Sequence, residues 1–284
     1  MFTRKAFHSH FGTHPIFGMV HLRALPGAPS FCGSMDLVID AALADARAIC
    51  DGGAAGIVFE NFGDRPFVRG RAGAETIAAM TRVIAEVARA VHLPFGVNVL
   101  RNDAQSALAI AVATGATFIR VNVHTGVMFT DQGVIEGEAA ETLRLRASLA
   151  PHVLIFADHL VKHATPPPGT DAVQSAKDLR LRGLADAVIV SGNETGAACD
   201  PERLALLRGA IDAPLLIGSG LTAANAQTYA DADGAIAGTS IKCDSDVDAP
   251  VDAGRVEAIV NAFRDLGPRT SQASDEKAQR TSEG

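Results

Sequence analysis

The chain has 284 residues, of which 48% are hydrophobic, so it can bury a large core and favours one large α/β domain over two small ones. A formal net charge of −7, without any Lys/Arg run or basic stripe, argues against nucleic-acid binding. No apolar run reaches the roughly 18–20 residues of a membrane span, no signal-peptide pattern follows the basic N-terminus, and the four separated cysteines suit reduced thiols, so we expect a cytoplasmic protein.

Short apolar strands alternate with helical patterns along the chain. The predicted strands are Ile16–Leu22, Ala55–Asn61, Leu93–Leu100, 118–124, His152–Leu160, Asp186–Gly192, Ala213–Gly220 and Asp233–Ser240. The predicted helices are Asp36–Asp51, Glu75–Val91, Asp103–Thr114, Glu138–Leu149, Asp171–Arg182, Pro201–Ala210, one that begins near Thr222, and Val251–Leu266. Eight such repeats predict a single (β/α)8 TIM barrel, since the competing doubly wound sheet would show a GxGxxG motif after its first strand and ALPGAPS is not one.

The same pattern divides the chain into three parts. Residues 1–15 form a polar N-terminal lead, residues 16–267 form the barrel domain, and residues 268–284 form a polar tail. The tail has almost no apolar residues, so we expect it to be disordered and dispensable for folding.

Two glycine-containing segments end the seventh and eighth strands. We call them the glycine loops: Gly218, Ser219 and Gly220 in the first, and Gly238, Thr239 and Ser240 in the second. Glycines let the backbone approach a ligand closely, and in TIM barrels the loops after these two strands are a frequent phosphate site. Glycines at strand ends also serve as simple turns, but two such loops at these two strands predict phosphate binding.

Polar side chains gather on one face of the strands, where most barrel interiors carry branched apolar residues. The stretch from Phe118 to Gly137 is the centre of this pattern, because its alternation places Arg120, Asn122 and His124 opposite apolar residues. The full set is His21, Glu60, Asn98, Arg120, Asn122, Asp158 and Ser191, with His124 at the rim. Since buried polar groups cost several kcal/mol unless they are partnered, this face is more consistent with a functional site than with a purely structural barrel interior.

Each member also has a purely structural interpretation. Arg120 can neutralise Glu60 or Asp158 in an ion pair, His21 can be a hydrogen-bonded core histidine, and Ser191 can be a turn residue. Two carboxylates beside an arginine can nevertheless have separated pKa values, which suits acid/base catalysis.

The segment after the fifth strand adds a further cation. Lys162 is placed to contact a phosphate or a carbonyl group, and its position beyond the strand argues against a Schiff-base role. His159 and His163 would bind a metal only if their segment were helical and an acid joined them, so we predict neither a metal site nor a cofactor.

Long motifs in the chain resemble the BtpA/SgcQ family. The matching stretches include GMVHLRALPGAP, ENFGDRPF, GVNVLRND, FIRVNVHTGVMFTDQGVIEGEAAETLRLR, DAVIVSGNETG and AGTSIK, and they cover nearly the whole domain. The resemblance implies a phosphate-binding TIM barrel and two classes of function. One branch of the family is linked to photosystem I biogenesis at the membrane periphery, and another is associated with sugar operons as an enzyme of unassigned reaction.

We therefore expect an enzyme that acts on a small phosphorylated metabolite, a sugar phosphate or a nucleotide-derived sugar, by isomerisation, lyase/aldol chemistry or glycosidic cleavage. Glu60 and Asp158 are the acid/base candidates, and Arg120 is the candidate for stabilising negative charge. The predicted substrate-binding residues are His21, Asn98, Asn122, His124, Lys162 and Ser191, and the loop Thr125–Gly137 is a candidate lid. We also expect a homo-oligomer, and the alternative function is a non-catalytic assembly factor for a membrane complex such as photosystem I.

Overall fold

A closed barrel of eight parallel strands forms the body of the protein in the computed structural model, which describes residues 1–192, 194–264 and 266. In chain order, the strands are β1 (Ile16–His21), β2 (Gly56–Glu60), β3 (Phe95–Asn98), β4 (Phe118–Val121), β5 (Val127–Thr130), β6 (Gly133–Glu136), β7 (Leu154–His159), β8 (Ala164–Thr165), β9 (Ala187–Val190), β10 (Leu215–Ile217) and β11 (Gly234–Ala237). Around the ring the barrel strands follow the order β1-β11-β10-β9-β7-β4-β3-β2. The predicted (β/α)8 fold is therefore confirmed.

Helices follow seven of the eight barrel strands. They are α2 (Met35–Asp51), α3 (Ala74–Ala90), α4 (Ala104–Thr114), α5 (Ala139–Leu149), α6 (Ala172–Lys177, continued by a π-helical segment), α7 (Pro201–Ala210) and α8 (Ala253–Arg264), and a further helix, α1 (Arg4–Phe11), precedes β1. After β10 there is only a 3₁₀ turn, Ala226–Tyr229, where a helix from about Thr222 was predicted. Thr222 and Asn225 each accept a hydrogen bond from the other's backbone N–H, at 3.2 and 2.8 Å, and such local bonds compete with a helix.

The two faces of the strands have different partners. Outward-facing residues such as Val20, Ile57 and Val97 belong to the large apolar cluster between barrel and helices. Inward-facing residues at the amino-terminal end form a separate apolar cluster that includes Phe118 and Phe156, whose rings stack with centroids 4.3 Å apart. The interior becomes polar only at the carboxyl ends of the strands, so the apolar lower half supports a polar upper half.

Helix α1 closes the lower end of the barrel. Its Phe7 and Phe11 are buried against the interior rings, with Phe11 and Phe17 centroids 5.1 Å apart. The residues described above as a polar lead therefore supply two rings to the barrel interior, because the side chains at these i and i+4 positions share one helix face.

The long segment after β4 is a hairpin. Strands β5 and β6 pair antiparallel, and β8 joins the outer edge of β5. This small sheet ties the segment 125–137 to the loop after β7, which carries Lys162. The predicted tail, residues 268–284, lies outside the described residues.

Candidate active site at the carboxyl ends of the strands

The strand register brings the predicted polar residues together at the upper end of the barrel. His21 pairs with Glu60 across β1 and β2, and Glu60 pairs with Asn98 across β2 and β3. Because adjacent parallel strands in this barrel end at the same level, the side chains form a ring rather than a scattered set. In TIM barrels this end carries the active site.

A buried ion pair forms one side of the ring. Arg120 donates from Nε and from a terminal nitrogen to the two carboxylate oxygens of Asp158, each at 3.0 Å. Both residues are less than 5% exposed. Burial alone opposes the charge of Arg120, but Asp158 and then Glu60 raise its pKa above the ordinary value. Arg120 is therefore a fixed cation with a fixed orientation.

Two asparagines support this pair from behind. Asn122 Nδ2 donates to Asp158 Oδ2 at 3.0 Å, and Asn98 Nδ2 donates to Asn122 Oδ1 at 3.0 Å. Asn98 Nδ2 also donates to the Arg120 carbonyl oxygen at 3.1 Å. All four residues are buried, so the network holds Arg120 and Asp158 in one arrangement.

Glu60 is bound far less tightly. Its carboxylate lies 3.9 Å from an Arg120 nitrogen and 3.8 Å from His21 Nε2, both longer than a hydrogen bond. Burial raises the pKa of the Glu60 carboxyl, and the Arg120 and Lys162 charges limit the rise. The two carboxylates of the ring thus have different environments: the Asp158 oxygens accept hydrogen bonds, and the Glu60 oxygens have no hydrogen-bond partner among the described residues.

His21 lies beside Glu60 as a neutral base. Burial, with the charges of Lys242, Lys162 and Arg120, lowers the pKa of this imidazole well below its ordinary value. Its ring stacks on Phe62 with centroids 4.5 Å apart. The neutral ring accepts or donates a hydrogen bond without adding another cation to the site.

A cavity of about 120 Å³ joins this ring to the glycine loops. Its walls are Met19, His21, Glu60, Arg120, Lys162, Thr195, Gly196, Gly218, Ser219, Gly220, Thr222, Gly238, Thr239, Ser240 and Ser245. All six residues of the glycine loops thus face the same cavity as the Glu60 carboxylate and the Arg120 guanidinium.

The hydroxyl groups of the glycine loops differ in their availability. Ser219 Oγ accepts from the Gly192 N–H at 3.0 Å and donates to the Ala197 carbonyl at 2.9 Å, so it fixes the loop. Thr239 Oγ1 is buried and has no hydrogen-bond partner among the described residues. Gly220 has φ +70° and an added Cβ would contact the Ala197 carbonyl, so this position requires glycine.

Several predicted residues lie outside the cavity. His124 Nε2 bonds to the Gly183 carbonyl at 2.8 Å, so this ring packs behind the site. Ser191 is buried directly beneath Gly218, where an added Cβ would meet its hydroxyl. Asn98, Asn122 and Asp158 form the supporting network, and the last two also line a second cavity of about 420 Å³ beside β4 and β7.

The His159–His163 segment is not a helix. His159 ends β7 and its Nδ1 lies 3.0 Å from an Arg203 nitrogen, whereas His163 Nε2 contacts Thr195. Among the residues that the structure describes, no group of three or more His, Cys, Asp or Glu side chains is arranged to hold a metal ion. The condition for a metal site at these histidines, a shared helix, is therefore not met.

Some site residues were not predicted from the sequence. Thr195 and Gly196 reach the cavity from the loop after β9, where the SGNETG segment was the available signal. Arg101 is buried and donates to the Lys162 carbonyl at 2.8 Å. Its position after β3 was readable from the sequence, but the carbonyl it binds belongs to a distant loop.

In the described part of the chain, no helix combines the length and hydropathy required to cross a lipid bilayer.

Comparison with known proteins agrees with this architecture. The model of the BtpA family matches residues 12–265. Photosystem I biogenesis protein BtpA of Synechocystis is 44% identical over 256 residues, which is 89% of each chain, and an uncharacterized protein of Methanocaldococcus jannaschii is 42% identical over 90% of this chain and 97% of its own. Thiamine phosphate pyrophosphorylase of Pyrococcus furiosus shares the fold, with a TM-score of 0.56 at 12% identity over 89% of this chain and 97% of that one. The chain belongs to the BtpA family.

Proposed function

We propose that the protein is an enzyme that moves a proton next to the carbonyl group of a small phosphorylated metabolite. The observation that carries this proposal is the shared cavity: the glycine loops and the Glu60 and Arg120 side chains face the same space. One small ligand would then place its phosphate group at the glycine loops and its reacting carbon beside Glu60 and Arg120.

The glycine loops are suited to hold the phosphate group. Backbone N–H groups at the loops after the last two strands bind anions without any side-chain charge. Thr239 adds a buried hydroxyl without a partner in the described protein. Arg120 adds a fixed positive charge to the same cavity, and the Lys162 amine adds a hydrogen-bond donor. A dianionic ligand therefore finds both hydrogen-bond donors and compensating charge.

Glu60 is the residue that would carry the proton. Burial raises the pKa of its carboxyl, which brings it closer to the neutral range that favours proton exchange. Arg120, fixed by Asp158, would stabilise the oxyanion that forms when a proton leaves the neighbouring carbon. Asp158 would act by positioning Arg120, because both its oxygens already accept hydrogen bonds.

This arrangement favours isomerisation or lyase/aldol chemistry over glycosidic cleavage. Most glycosidases use two carboxyl groups, one on each side of the bond that breaks. Here Asp158 is occupied by Arg120 and Asn122, so only Glu60 of this pair is available for proton transfer. A single carboxyl group beside a fixed cation suits enolisation, because that reaction uses a base for the carbon-bound proton and a group that stabilises the oxyanion.

Hydrogen–deuterium exchange would test the proposal directly. The protein would be incubated in D₂O with a panel of phosphorylated aldoses and ketoses, and NMR would follow the loss of the C–H signal next to each carbonyl. We expect exchange in at least one compound, none in its unphosphorylated counterpart, and none with Glu60→Gln. Inorganic phosphate should still raise the Tm of Glu60→Gln, because the phosphate contacts remain. Exchange that persists in Glu60→Gln would refute the assignment.

The similarity to the Synechocystis protein supports a second candidate function, a non-catalytic assembly role. In such a role the protein would catalyse no reaction in the cavity. Binding of phosphate esters with no exchange of any ligand proton would favour it. The cytoplasmic location and the homo-oligomeric state remain predictions, and light scattering with size-exclusion chromatography would measure the second.

A further inference from the structure

The segment Leu160–His163 returns the Lys162 side chain to the cavity after β7 has ended. Strand β7 ends at His159, and a chain that continued along the strand direction would carry Lys162 away from the barrel axis. Instead, Lys162 lines the cavity with Glu60 and Arg120. Lys162 does lie beyond the strand, as expected from the sequence. The path of the segment nevertheless brings it back to the cavity, so its position no longer argues against a Schiff-base role.

An unusual backbone makes this path possible. Leu160 has φ +50° and His163 has φ +55°, a left-handed conformation that is uncommon for residues other than glycine, asparagine, aspartate and histidine, so the leucine is the unusual residue of the two. Residues in such conformations persist where the surroundings fix them, and they cluster at functional sites. Lys162 lies between the two, so left-handed residues flank the one that reaches the cavity.

Contacts on three sides hold the segment in place. Arg101 donates to the Lys162 carbonyl at 2.8 Å, and Val161 is buried in a cluster with Val123, Met128 and Ile135. His163 Nε2 accepts from the Thr195 N–H at 3.1 Å. The strand β8 that follows pairs with β5. The backbone of Lys162 is thus fixed, and its side chain is directed by the fold.

Burial favours the neutral form of the amine. Among the described residues, no carboxylate oxygen lies within 4.0 Å of the Lys162 nitrogen. Burial, and then the charge of Arg120, lower the pKa of Lys162, while Glu60 and Asp158 act in the opposite direction. Lys242 gives the contrast within the same chain: it is buried too, but its Nζ lies 2.6 Å from Asp45 Oδ2. Only an unprotonated amine has the lone pair that attacks a carbonyl carbon.

We propose that Lys162 Nζ forms a Schiff base with the carbonyl carbon of a phosphorylated aldose or ketose. This inference rests on the proposed function, since it assigns a covalent intermediate to the same cavity. The amine adds to the carbonyl, and the amine proton and one proton from Glu60 leave with the carbonyl oxygen as water. An iminium ion remains. Glu60, now a carboxylate, then takes the proton from the neighbouring carbon; the C–H electron pair forms the C=C bond and the C=N π pair moves to the nitrogen to give an enamine.

Reprotonation and the addition of water release the product and restore the free amine, so no oxidant or reductant is consumed. Arg120 would stabilise the oxygen of the carbinolamine as it forms. Its fixed guanidinium cannot itself act as the nucleophile, because Asp158 keeps it charged.

Reductive trapping would test the inference. The full chain would be incubated with dihydroxyacetone phosphate or ribose 5-phosphate and sodium borohydride, and the adduct would be located by mass spectrometry of the intact protein and its peptides. We expect one reduced adduct on Lys162, its loss in Lys162→Arg, and its suppression by inorganic phosphate. Unphosphorylated dihydroxyacetone should give no adduct at the same concentration.

The other lysines provide controls within the same sample. Lys177 is a half-buried lysine in the last turn of α6, and Lys242 is held by Asp45. Labelling of Lys177 to the same extent as Lys162, or no labelling of Lys162, would overturn the inference. A parallel measurement of Tm with phosphate separates the two proposals: a phosphate shift without an adduct would overturn the Schiff base alone, and the loss of both would overturn the proposed function as well. The peptide map of the parent protein, which carries no substitution, gives this answer even if Lys162→Arg folds poorly.

Discussion

Replacing Arg120 by methionine should destabilise the protein strongly and should also remove its response to phosphorylated ligands. The expectation from sequence alone is a small loss of stability, because a residue at a wet barrel mouth gives up little when its charge is removed. The structure shows a different environment, since the Arg120 side chain is 3% exposed and the Asp158 side chain is 1% exposed. A buried carboxylate that loses its partner is costly.

The magnitude follows from the contacts that Asp158 would lose. Two of its three side-chain hydrogen bonds come from Arg120, and the third comes from Asn122. Removing one partner of a buried pair costs about 3–5 kcal/mol. For a domain of this size that corresponds to a fall in Tm of about 6–20 °C, taking about 2–4 °C for each kcal/mol.

The double variant Arg120→Met/Asp158→Asn separates stability from binding. It removes both charges, and the new amide oxygen still accepts from Asn122. We expect a coupling of about 1–3 kcal/mol between the two substitutions, so the double variant should be more stable than Arg120→Met alone. It should nevertheless show no rise in Tm with phosphate esters, because an apolar side chain cannot replace a planar donor fork.

Thermal unfolding of the four proteins of this cycle, with and without phosphate, measures both effects. An Arg120→Met variant that melts within a degree of the parent protein would refute the buried pair. A double variant that binds phosphate esters as the parent does would remove Arg120 from the ligand site and leave it as a structural residue.

Three further substitutions test other parts of the argument. Thr239→Val should leave stability unchanged or slightly raised, because Oγ1 has no partner in the described protein. It should weaken phosphate binding, measured by calorimetry, more than about tenfold, since a hydrogen bond to a charged group contributes about 1.5–3 kcal/mol. The control Thr142→Val, which removes a similarly buried hydroxyl from α5, should leave binding intact. Burial lowers the pKa of His159 from 6.5 to about 4. The stability that its neutral ring provides is therefore present above pH 6.5 and is lost as the pH falls towards 4, which amounts to about 3 kcal/mol. Chemical denaturation across this pH range should show a smaller loss in His159→Gln. Phe7→Ala should cost about 3–5 kcal/mol in the same assay because the ring is fully buried, with the exposed Phe129→Ala as control; equal effects of the two would mean that α1 does not seal the barrel.

Alternation of residue types was sufficient to find most of the ring of polar side chains. A strand repeats every two residues, so the apolar positions of β4 and β7 fix the direction of Arg120 and Asp158. His124 shows where this reasoning stops. Strand β4 ends at Val121, and beyond that point the chain is no longer extended, so His124 turns towards Gly183 rather than the cavity. Periodicity predicts direction only as far as the strand continues.

Helix α1 was missed for a different reason. Polar residues dominate its eight positions, and a helix this short has no stability of its own. It forms because Phe7 and Phe11 pack into the lower end of the barrel, a tertiary contact that no local sequence pattern predicts. The left-handed residues Leu160 and His163 are the same kind of case, since the packing around them, rather than their own preference, sets the backbone.

The polar upper half of the barrel is best understood together with the apolar lower half. Burying Glu60 and Arg120 in the same interior as Phe118 and Phe156 does not help the fold, because buried ion pairs add little or nothing relative to apolar residues of the same size. The aromatic layer sealed by α1 supplies a rigid floor, and the asparagines supply hydrogen bonds that fix one orientation of Arg120. Of the two carboxylates, Glu60 is the one without a hydrogen-bond partner at the described positions, and it faces the glycine loops across the cavity. A fold that satisfies Asp158 so fully and leaves Glu60 without a partner fits the proposed division of roles, in which Asp158 positions Arg120 and Glu60 transfers the proton.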